Sequence, residues 1–589
     1  MRPIEQFPNL VTMFFTRAAE RGDRMLFAVK RDGAWQQTSW AEAARQVAAL
    51  AAALRRIGLV PGDRVVLVSE NRPEWCISDL AIMAAGCVTV PTYTTNTERD
   101  HTHILENSGA AAAIVSTQKL AGPLMAAAAR SSACRAVIGI DPLRGGQSGQ
   151  CATHHWRALI EGETPDVDAV AAGATFARDD LACIIYTSGT GGAPRGVCQH
   201  HGAILHNIAG CDTILTEDFS AEEDRFLSFL PLSHAYEHTA GQFLPIGRGA
   251  EIWYAESLEK LAANIEEVRP TIMVVVPRLF EVLRQRIIKS IEKQGAFPRF
   301  LLRRALAIGG RRGLVDWPMN ALLDRTLRPR IAQRFGGRLK VMVSGGAPLN
   351  VEVGRFFQAL GITMAQGYGQ TEAAPVISCN RPAAGIALDS VGPPLPNTEV
   401  RIAGDGEILV RGELVMHGYW RNEAETARVL QDGWLHTGDI GHFDRAGRII
   451  ITDRKKDLIV NDKGDNVSPQ KVEGMLTLQP EIAQAMVAGD RRPHLVGLIV
   501  PDAEWTREWA AANGVEPAAA RDHPAYAKAL SAAIDRVNGD LSVIEKVRRF
   551  ILADEAFTIE NEQMTPSLKI RRHVIGKVYG DRLNTLYSR

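Results

Sequence analysis

The chain has 589 residues, more than one hydrophobic core usually serves, so we expect at least two domains. Hydrophobic residues make up 46% of it and charged residues 23%, which is typical of a globular protein and excludes a disordered or fibrous one. Lysine plus arginine number 67, as do aspartate plus glutamate, so no net basic field exists to recruit nucleic acid, and we predict no nucleic-acid partner.

The eight cysteines are scattered and form no CxxC pair. This spacing argues against a disulfide framework and against a zinc ribbon, and it indicates a reducing compartment. The first 24 residues, MRPIEQFPNLVTMFFTRAAERGDR, lack the apolar segment and small-residue cleavage site of a signal peptide. Apolar runs elsewhere are too short or too interrupted to cross a bilayer of about 30 Å. We therefore predict a cytoplasmic protein.

Short runs rich in β-branched residues alternate with helical patterns along most of the chain. Strand-like DRVVLVSE precedes helix-like PEWCISDLAIMAAG within 63–86, and the same order recurs within 271–293 and within 338–361. Such alternation predicts parallel sheets that are covered by helices on both faces. Ligands in such sheets bind at the carboxyl ends of the strands.

The pattern changes near Asn397. Residues 398–413 and 441–454 have the pattern of short strands joined by tight turns, which predicts a small antiparallel β unit over about 397–453. After DRKKD (453–457), helix and strand patterns mix again. We therefore predict an α/β protein. Its large N-terminal domain, 1–455, would combine helix-covered, mostly parallel sheets with the antiparallel unit, and a small, mobile α+β C-terminal domain would occupy 456–589.

The stretch YTSGTGGAPRGV, residues 186–197, follows the buried strand pattern LACIIY. Its glycines let backbone N–H groups approach a ligand closely, the hydroxyls of Thr187, Ser188 and Thr190 are donors, and Arg195 is a fixed cation. These features predict a phosphate-binding loop. The pattern GxxxxGK[ST] of P-loop NTPases is not met, because the second glycine is followed by Val-Cys, so we do not expect that class of enzyme.

The same stretch is similar to the signature YTSGTTGxPKGV of the adenylate-forming superfamily, which includes acyl-CoA synthetases, luciferases and peptide-synthetase adenylation domains. Gly191 replaces a threonine of that signature, and Arg195 replaces its lysine, which keeps the cation but changes the donor geometry. Further segments that resemble the family follow in its order: SGGAPL (344–349), QGYGQTE (366–372), GWLHTGD (433–439), DRKKD (453–457) and MTPSLKIRR (564–572). The ordered set spans nearly the whole chain and is far more specific than any one segment.

The resemblance implies a role for individual residues in these segments. Tyr368 would stack on adenine, Thr371 would contact phosphate, Asp439 would accept hydrogen bonds from the ribose hydroxyls, and Arg454 would contact the nucleotide. The implied nucleotide-binding set is Thr187, Ser188, Gly189, Thr190, Gly191, Gly346, Ala347, Pro348, Tyr368, Gly369, Gln370, Thr371, Asp439 and Arg454. The implied catalytic set is Lys569, Glu372, Arg195 and His234, with Lys456 as the hinge and Glu372 and Thr190 as Mg²⁺ ligands. Taken singly, each residue has an ordinary structural explanation, and only their joint occurrence in order favours a site.

Two further segments resemble long-chain fatty-acid CoA ligases within the superfamily: FLPLSHAYEH (229–238) and PRLFEVLRQRI (277–287). The basic helical pattern over 278–312 also fits that branch, and His234 would lie near the acyl carboxylate. HAYEH matches the zinc-peptidase pattern HxxEH as well, in which two helical histidines bind Zn²⁺. That alternative needs a third ligand and a stable helix, whereas Pro231 and Ser233 favour a strand end or turn.

The function implied is ATP-dependent activation of a fatty acid to acyl-AMP, with Mg²⁺, followed by transfer to coenzyme A. Partners would be these small molecules, and both a homodimer and peripheral contact with the inner face of a membrane are compatible with the assignment. One alternative is the loading of a separate carrier protein, or the use of an aryl or medium-chain acid. A second is a non-catalytic nucleotide-binding protein, which the presence of both Glu372 and Lys569 disfavours.

Overall fold

The computed structural model describes residues 1–144, 151–187, 194–220, 223–309, 314–455, 458–463, 465–565 and 570–588. In chain order its strands are β1 (Met25–Arg31), β2 (Ala34–Ser39), β3 (Arg64–Val68), β4 (Val88–Thr92), β5 (Ala112–Val115), β6 (Ala136–Gly139), β7 (Ala152–His155), β8 (Leu181–Thr187), β9 (Arg195–His200), β10 (Arg225–Ser228), β11 (Glu251–Tyr254), β12 (Ile272–Val275), β13 (Val341–Ser344), β14 (Met364–Gly369), β15 (Val376–Cys379), β16 (Glu399–Ile402), β17 (Glu407–Arg411), β18 (Gly418–Tyr419), β19 (Leu430–Gln431), β20 (Trp434–Phe443), β21 (Ile449–Arg454), β22 (Ile459–Val460), β23 (Asn466–Val467), β24 (Ile482–Ala488), β25 (Leu495–Pro501) and β26 (Val547–Leu552).

The helices are α1 (Leu10–Arg21), α2 (Trp40–Arg56), α3 (Pro73–Ala84), α4 (Glu98–Ser108), α5 (Gln118–Ala128), α6 (Trp156–Glu161), α7 (Val167–Ala172), α8 (His201–Asp218), α9 (Ala235–Glu237), α10 (Leu244–Arg248), α11 (Leu261–Val268), α12 (Pro277–Glu292), α13 (Ala296–Ile308), α14 (Trp317–Arg325), α15 (Leu327–Arg334), α16 (Val351–Ala359), α17 (Glu423–Val429), α18 (Pro469–Leu476), α19 (Ala503–Asn513), α20 (Pro524–Asp540) and α21 (Arg572–Thr585). A π-helical turn, His238–Phe243, joins α9 to α10. Among the helices of the described residues, none is long and apolar enough to span a membrane.

Two eight-stranded, mostly parallel sheets form the larger part of the described fold. Their strand orders are β15-β14-β13-β12-β10-β11-β1-β2 and β18-β9-β8-β4-β3-β5-β6-β7. Antiparallel pairs occur only toward their edges, as in β1 with β2, β14 with β15, β8 with β9, and β9 with β18. The predicted strand-and-helix pairs are present as β3 with α3, β12 with α12, and β13 with α16, because buried parallel strands need apolar residues on both faces.

Smaller sheets follow along the chain. An antiparallel sheet of order β16-β17-β20-β19, with β21 paired to β20, occupies Glu399–Arg454. After it, β24, β25 and β26 form a three-stranded mixed sheet that packs with α18 to α21 around two apolar clusters. The α/β fold with a small antiparallel unit and a smaller α+β portion is therefore confirmed.

The turn that leaves β13 positions one side of the candidate site. Gly346 has a φ of +81°, a conformation that residues with a side chain rarely adopt, so the chain can reverse there. Asn350 then caps α16 by accepting a hydrogen bond from the N–H of Glu352 at 2.8 Å. The segment between them, which contains Ala347 and Pro348, is thus held between a strand end and a helix start.

Candidate active site

A cavity of about 2900 Å³ opens at the carboxyl ends of β13 and β14. Thr187, Arg195 and His234 line it. Gly346, Ala347, Pro348, Tyr368, Gly369, Gln370, Thr371, Glu372, Asp439 and Arg454 line the same cavity. The structure therefore brings together every described residue of the predicted site. Ser188, Gly189, Thr190, Gly191, Lys456 and Lys569 lie outside the described residues.

Asp439 joins the antiparallel sheet to β14. Its side chain is almost fully buried and accepts hydrogen bonds from the Tyr368 hydroxyl at 2.7 Å and from Nε of Arg454 at 2.9 Å. Burial, together with the charge of Asp439, raises the pKa of Tyr368 well above its usual range, so the phenol is neutral and donates. Strands β20 and β21 pair Asp439 directly with Arg454, which fixes the two charges side by side.

Close packing constrains the end of β14. A Cβ atom on Gly369 would lie 1.8 Å from the carbonyl oxygen of Pro375, so no side chain fits there. Just beyond, Thr371–Ala373 forms a single 3-10 turn. The backbone carbonyl of Thr371 accepts a hydrogen bond from Nε2 of Gln199 at 2.7 Å, which ties this turn to β9. The turn carrying Glu372 is thus held on both sides.

Glu372 could hold a hard cation. Its Oε1 accepts a hydrogen bond from the hydroxyl of Tyr419 at 2.7 Å, and no described residue donates to its Oε2. Glu372 and the neighbouring Thr371 both line the cavity, and both carry side-chain oxygens. Mg²⁺ favours oxygen ligands and usually takes only one or two carboxylates from a protein, so this donor set fits it.

Arg195 contacts two residues that its motif does not predict, Glu425 and Tyr419. Strand pairing sets it opposite Thr187, at the two ends of the predicted phosphate loop. Its Nη1 contacts Oε2 of Glu425 at 2.7 Å, and its guanidinium lies 4.5 Å from the ring centroid of Tyr419. Sequence reasoning missed Tyr419 and Glu425, and the only signal was an aromatic residue after a glycine in GYW, 418–420.

His234 lines the cavity at the N-terminus of α9, where its Nδ1 accepts a hydrogen bond from the N–H of Tyr236 at 3.2 Å. His238 is fully buried elsewhere, and its Nε2 contacts Oδ2 of Asp79 at 2.9 Å. Among the described residues, the one cluster of three candidate metal ligands is Asp179, His200 and His417. The zinc alternative for HAYEH was therefore wrong in its geometry, because its two histidines serve separate contacts.

Part of the cavity wall is apolar. Strands β12, β13 and β14 contribute alternate residues to it. Ile272 pairs with Val341, and Val343 lies between Val274 and Ala365. Apolar residues of α8 and of the segment after α9 line the same cavity: Cys211, Ile214, Leu215, Ala240 and Leu244. Tyr236 marks the polar end of this wall, since its ring lies against Gly345, where a Cβ would come within 2.7 Å. The cavity thus combines a polar end with an apolar extension.

A large cavity at the strand ends of an α/β fold is typical of a ligand-binding site, and sequence comparison gives the family. Residues 14–420 match the AMP-binding enzyme family, and residues 456–589 match the AMP-binding enzyme C-terminal domain. The chain belongs to the AMP-binding enzyme family, which confirms the superfamily resemblance.

Similar proteins include a long-chain-fatty-acid–CoA ligase, FadD15, of Mycobacterium tuberculosis, 31% identical over 100% of this chain and 98% of that protein. The peroxisomal long chain acyl-CoA synthetase 7 of Arabidopsis thaliana is 30% identical over 95% of this chain and 83% of its own length. Among solved structures, the A domain of a carboxylic acid reductase from Segniliparus rugosus, in complex with AMP and a co-purified carboxylic acid, superposes with a TM-score of 0.78. It is 20% identical, covers 99% of this chain and 94% of its own, and supports the fold.

Proposed function

We propose that this protein is an AMP-forming long-chain fatty-acid–CoA ligase. The observation that carries the proposal is that one cavity is lined both by polar residues, Glu372 and Asp439 among them, and by apolar residues of α8, β12 and β13. A long acyl chain would be buried along these apolar residues while its carboxylate stayed at the polar end, beside His234 and Tyr236. The two curated relatives named above act, by their names, on long-chain acids, which supports the same substrate class.

The proposed reaction has two steps. First, a carboxylate oxygen attacks the α-phosphorus of ATP, the bond to the β-phosphate oxygen breaks, and acyl-AMP and pyrophosphate form. Then the thiol of coenzyme A attacks the acyl carbon and loses its proton, AMP leaves, and the thioester remains. The first step is needed because a carboxylate repels nucleophiles and its oxide is a poor leaving group, whereas AMP leaves readily.

Acidic and basic residues of this chain would bind different parts of the nucleotide. Asp439, held by Tyr368 and Arg454, would accept hydrogen bonds from the ribose. Arg195 and Lys569 would offset the negative charge that grows as two anions meet, and such oriented charges usually supply the largest part of catalysis. Glu372 and Thr190 would hold Mg²⁺, which would offset the charge of the phosphate oxygens, and Thr371 would contact phosphate.

We further propose that the protein contacts an anionic membrane surface through the solvent-facing side of α13. Phe297 and Phe300 are 58% and 47% exposed there, and Arg299, Arg303 and Arg304 accompany them. No acidic residue occurs in 296–309, so the face is complementary to anionic headgroups. Exposed aromatic residues among arginines are typical of helices that lie in a membrane interface.

The proposed reaction is tested by incubating the purified protein with ATP, Mg²⁺ and palmitate, and following pyrophosphate release with and without coenzyme A. Mass spectrometry then identifies the product. We expect fatty-acid-dependent pyrophosphate release, and palmitoyl-CoA when coenzyme A is present. Pyrophosphate release without any thioester would favour a carrier-protein acceptor, and no release would leave only a nucleotide-binding role.

A further inference from the structure

The side chain of Tyr419 contacts both Glu372 and Arg195, the two charged residues that we propose to act on the phosphates. The hydroxyl of Tyr419 donates to Oε1 of Glu372 at 2.7 Å, while the guanidinium of Arg195 lies over its ring at 4.5 Å from the centroid. Tyr419 is only 6% exposed, so both contacts are buried rather than on the surface. The carboxylate and the cation come from segments far apart in the sequence and meet on this ring.

The backbone around Tyr419 is fixed from three directions. Strand β18 pairs antiparallel with β9, with Tyr419 opposite Val197. The next residue is also held to β9, because the N–H of Trp420 donates to the carbonyl of Gly196 at 2.7 Å. On the other side, the N–H of Met416 donates to the carbonyl of Glu372 itself at 2.9 Å. These backbone contacts therefore fix the position of the Tyr419 phenol beside the carboxylate of Glu372.

The chemistry of the contact suits a donor that stays neutral. An ordinary phenol keeps its proton near neutral pH, so the hydroxyl of Tyr419 donates to the carboxylate of Glu372. A hydrogen bond to one oxygen of a carboxylate fixes the rotation of the whole group. The second oxygen, Oε2 of Glu372, has no donor among the described residues, and Glu372 lines the cavity.

Arg195 is held by two groups, the ring of Tyr419 and the carboxylate of Glu425. Its Nη1 pairs with Glu425 at 2.7 Å, and Glu425 is placed in the first turn of α17 by the cap residue Asn422. The N–H of Tyr419 also donates to the hydroxyl of Thr426 in that helix at 2.9 Å. A planar guanidinium can stack on the ring and bond to a carboxylate together, which a lysine ammonium does less well.

We propose that Tyr419 is a positioning residue for adenylation, orienting the Glu372 carboxylate for Mg²⁺·ATP and the Arg195 guanidinium for the phosphates. The inference rests on the proposed function, because it takes Glu372 as the Mg²⁺ neighbour. It assigns no chemical step to the phenol. It also accounts for an arginine at position 195, rather than the lysine of the superfamily signature, because the guanidinium of Arg195 stacks on an aromatic ring.

Tyr419→Phe separates the two roles, since it keeps the ring and removes the hydroxyl. We expect binding of the non-hydrolysable analogue α,β-methylene-ATP, measured by calorimetry, to be unchanged without Mg²⁺. The gain in affinity on adding Mg²⁺ should fall, and the Mg²⁺ concentration for half-maximal pyrophosphate release should rise by about tenfold, as expected for losing a hydrogen bond to a charged group. Tyr419→Leu should also weaken Mg²⁺-free binding, because Arg195 loses its platform.

Tyr526→Phe is the matched control. Tyr526 is fully buried and its hydroxyl is 2.7 Å from that of Thr506, so the variant removes an equally buried phenol hydroxyl remote from the cavity. It should leave the Mg²⁺ dependence unchanged. Mg²⁺ dependence of Tyr419→Phe equal to that of the wild type would overturn the inference. The calorimetry uses no acyl substrate, so it reports on Tyr419 even if the proposed long-chain activity is not found.

Discussion

At the scale of single residues, Arg195 is the position where the chain departs from the superfamily signature in a way that the structure explains. Its guanidinium both stacks on Tyr419 and pairs with Glu425. A lysine would preserve the charge but would lose the planar stacking and the fork. The contact geometry therefore makes a specific prediction for the conservative substitution.

We expect Arg195→Lys to lower kcat/KM for ATP in the adenylation step by about tenfold, the scale of a lost cation–π and fork contact. Pyrophosphate release at varied ATP measures it. Arg411→Lys is the control, because Arg411 stacks on Trp434 at 4.5 Å and pairs with Glu399 in the antiparallel sheet, away from the cavity. Wild-type kinetics for Arg195→Lys would show that the residue supplies charge alone.

The ordered motifs name residues that line one cavity, but they do not indicate the contacts among those residues. Tyr368, Thr371, Glu372 and Asp439 lie around one cavity, as the ordered motifs imply. The sequence could not show that the Tyr368 hydroxyl bonds to Asp439, or that Tyr419 reaches Glu372, since both contacts depend on pairing between distant strands. Such pairing leaves no local pattern in the residues involved.

At the scale of elements, the π-helical turn after α9 encloses a buried acid. Glu237 is 1% exposed and accepts a hydrogen bond from the Ser228 hydroxyl at 2.6 Å, and Gly241 leaves room for it, since a Cβ there would lie 2.4 Å from the carboxyl group. Burial raises the pKa of Glu237 from 4.5 to about 8. The protonated form is therefore favoured in the folded protein.

This raised pKa makes a stability prediction with a definite sign. Between pH 4.5 and about 8 the unfolded chain has lost the proton that the folded chain keeps, so unfolding becomes easier as pH rises, by up to about 1.4 kcal/mol per pH unit. We expect Glu237→Gln to remove this dependence, so that its melting temperature exceeds that of the wild type increasingly from pH 5 to pH 8. Calorimetric scans at both pH values measure it, with the exposed Glu516→Gln as control. A constant difference between the two proteins would contradict the prediction.

Helix α13 makes a second element-scale prediction. We expect the protein to sediment with vesicles that contain phosphatidylglycerol more than with neutral phosphatidylcholine vesicles, and the double change Phe300→Ser and Arg303→Ser to weaken that binding by about tenfold. Val543→Ser is the control, since Val543 is 72% exposed on a different surface. Equal binding to both vesicle types, or equal loss in the control, would exclude α13 as the docking face.

Element boundaries followed from the sequence where one physical rule dominated. Apolar β-branched runs became β3, β12 and β13 because both faces of a parallel sheet are buried. HAYEH was ambiguous for the opposite reason, since its spacing fits a ligand-bearing helix as well as a turn. The tertiary contact of His238 with Asp79 decided it, and no local pattern carries that information.

At the scale of the whole molecule, the cavity is lined by both the large sheets and the C-terminal portion. Thr565 and Ile570, on either side of the undescribed residues 566–569, line the same cavity as Tyr368 and Asp439. Lys289 of α12 also contacts Glu504 of α19 at 2.5 Å. We propose that 456–589 forms a domain that turns about Lys456 and acts in adenylation through Lys569, two residues outside the part of the chain that the structure describes.

If that domain turns between the two half-reactions, two lysines should fail in different steps. We expect Lys569→Ala to lose pyrophosphate release yet still convert supplied acyl-AMP and coenzyme A to thioester. Lys456→Pro should keep pyrophosphate release and lose thioester formation, because proline fixes φ near roughly −65° at the proposed hinge. Circular dichroism checks folding. Equal loss of both half-reactions in both variants would contradict alternation.

We propose that the apolar part of the cavity selects a long acyl chain, and a chain-length series decides between long-chain and other acids. Coenzyme-A-dependent AMP formation is measured with saturated acids from butyrate to stearate, and with benzoate as an aryl acid, at fixed ATP and Mg²⁺. We predict that kcat/KM rises with each added methylene to a maximum at a long chain, by up to about threefold to fourfold for each buried methylene. A maximum at butyrate or benzoate, or no dependence on chain length, would contradict selection of a long acyl chain by the cavity.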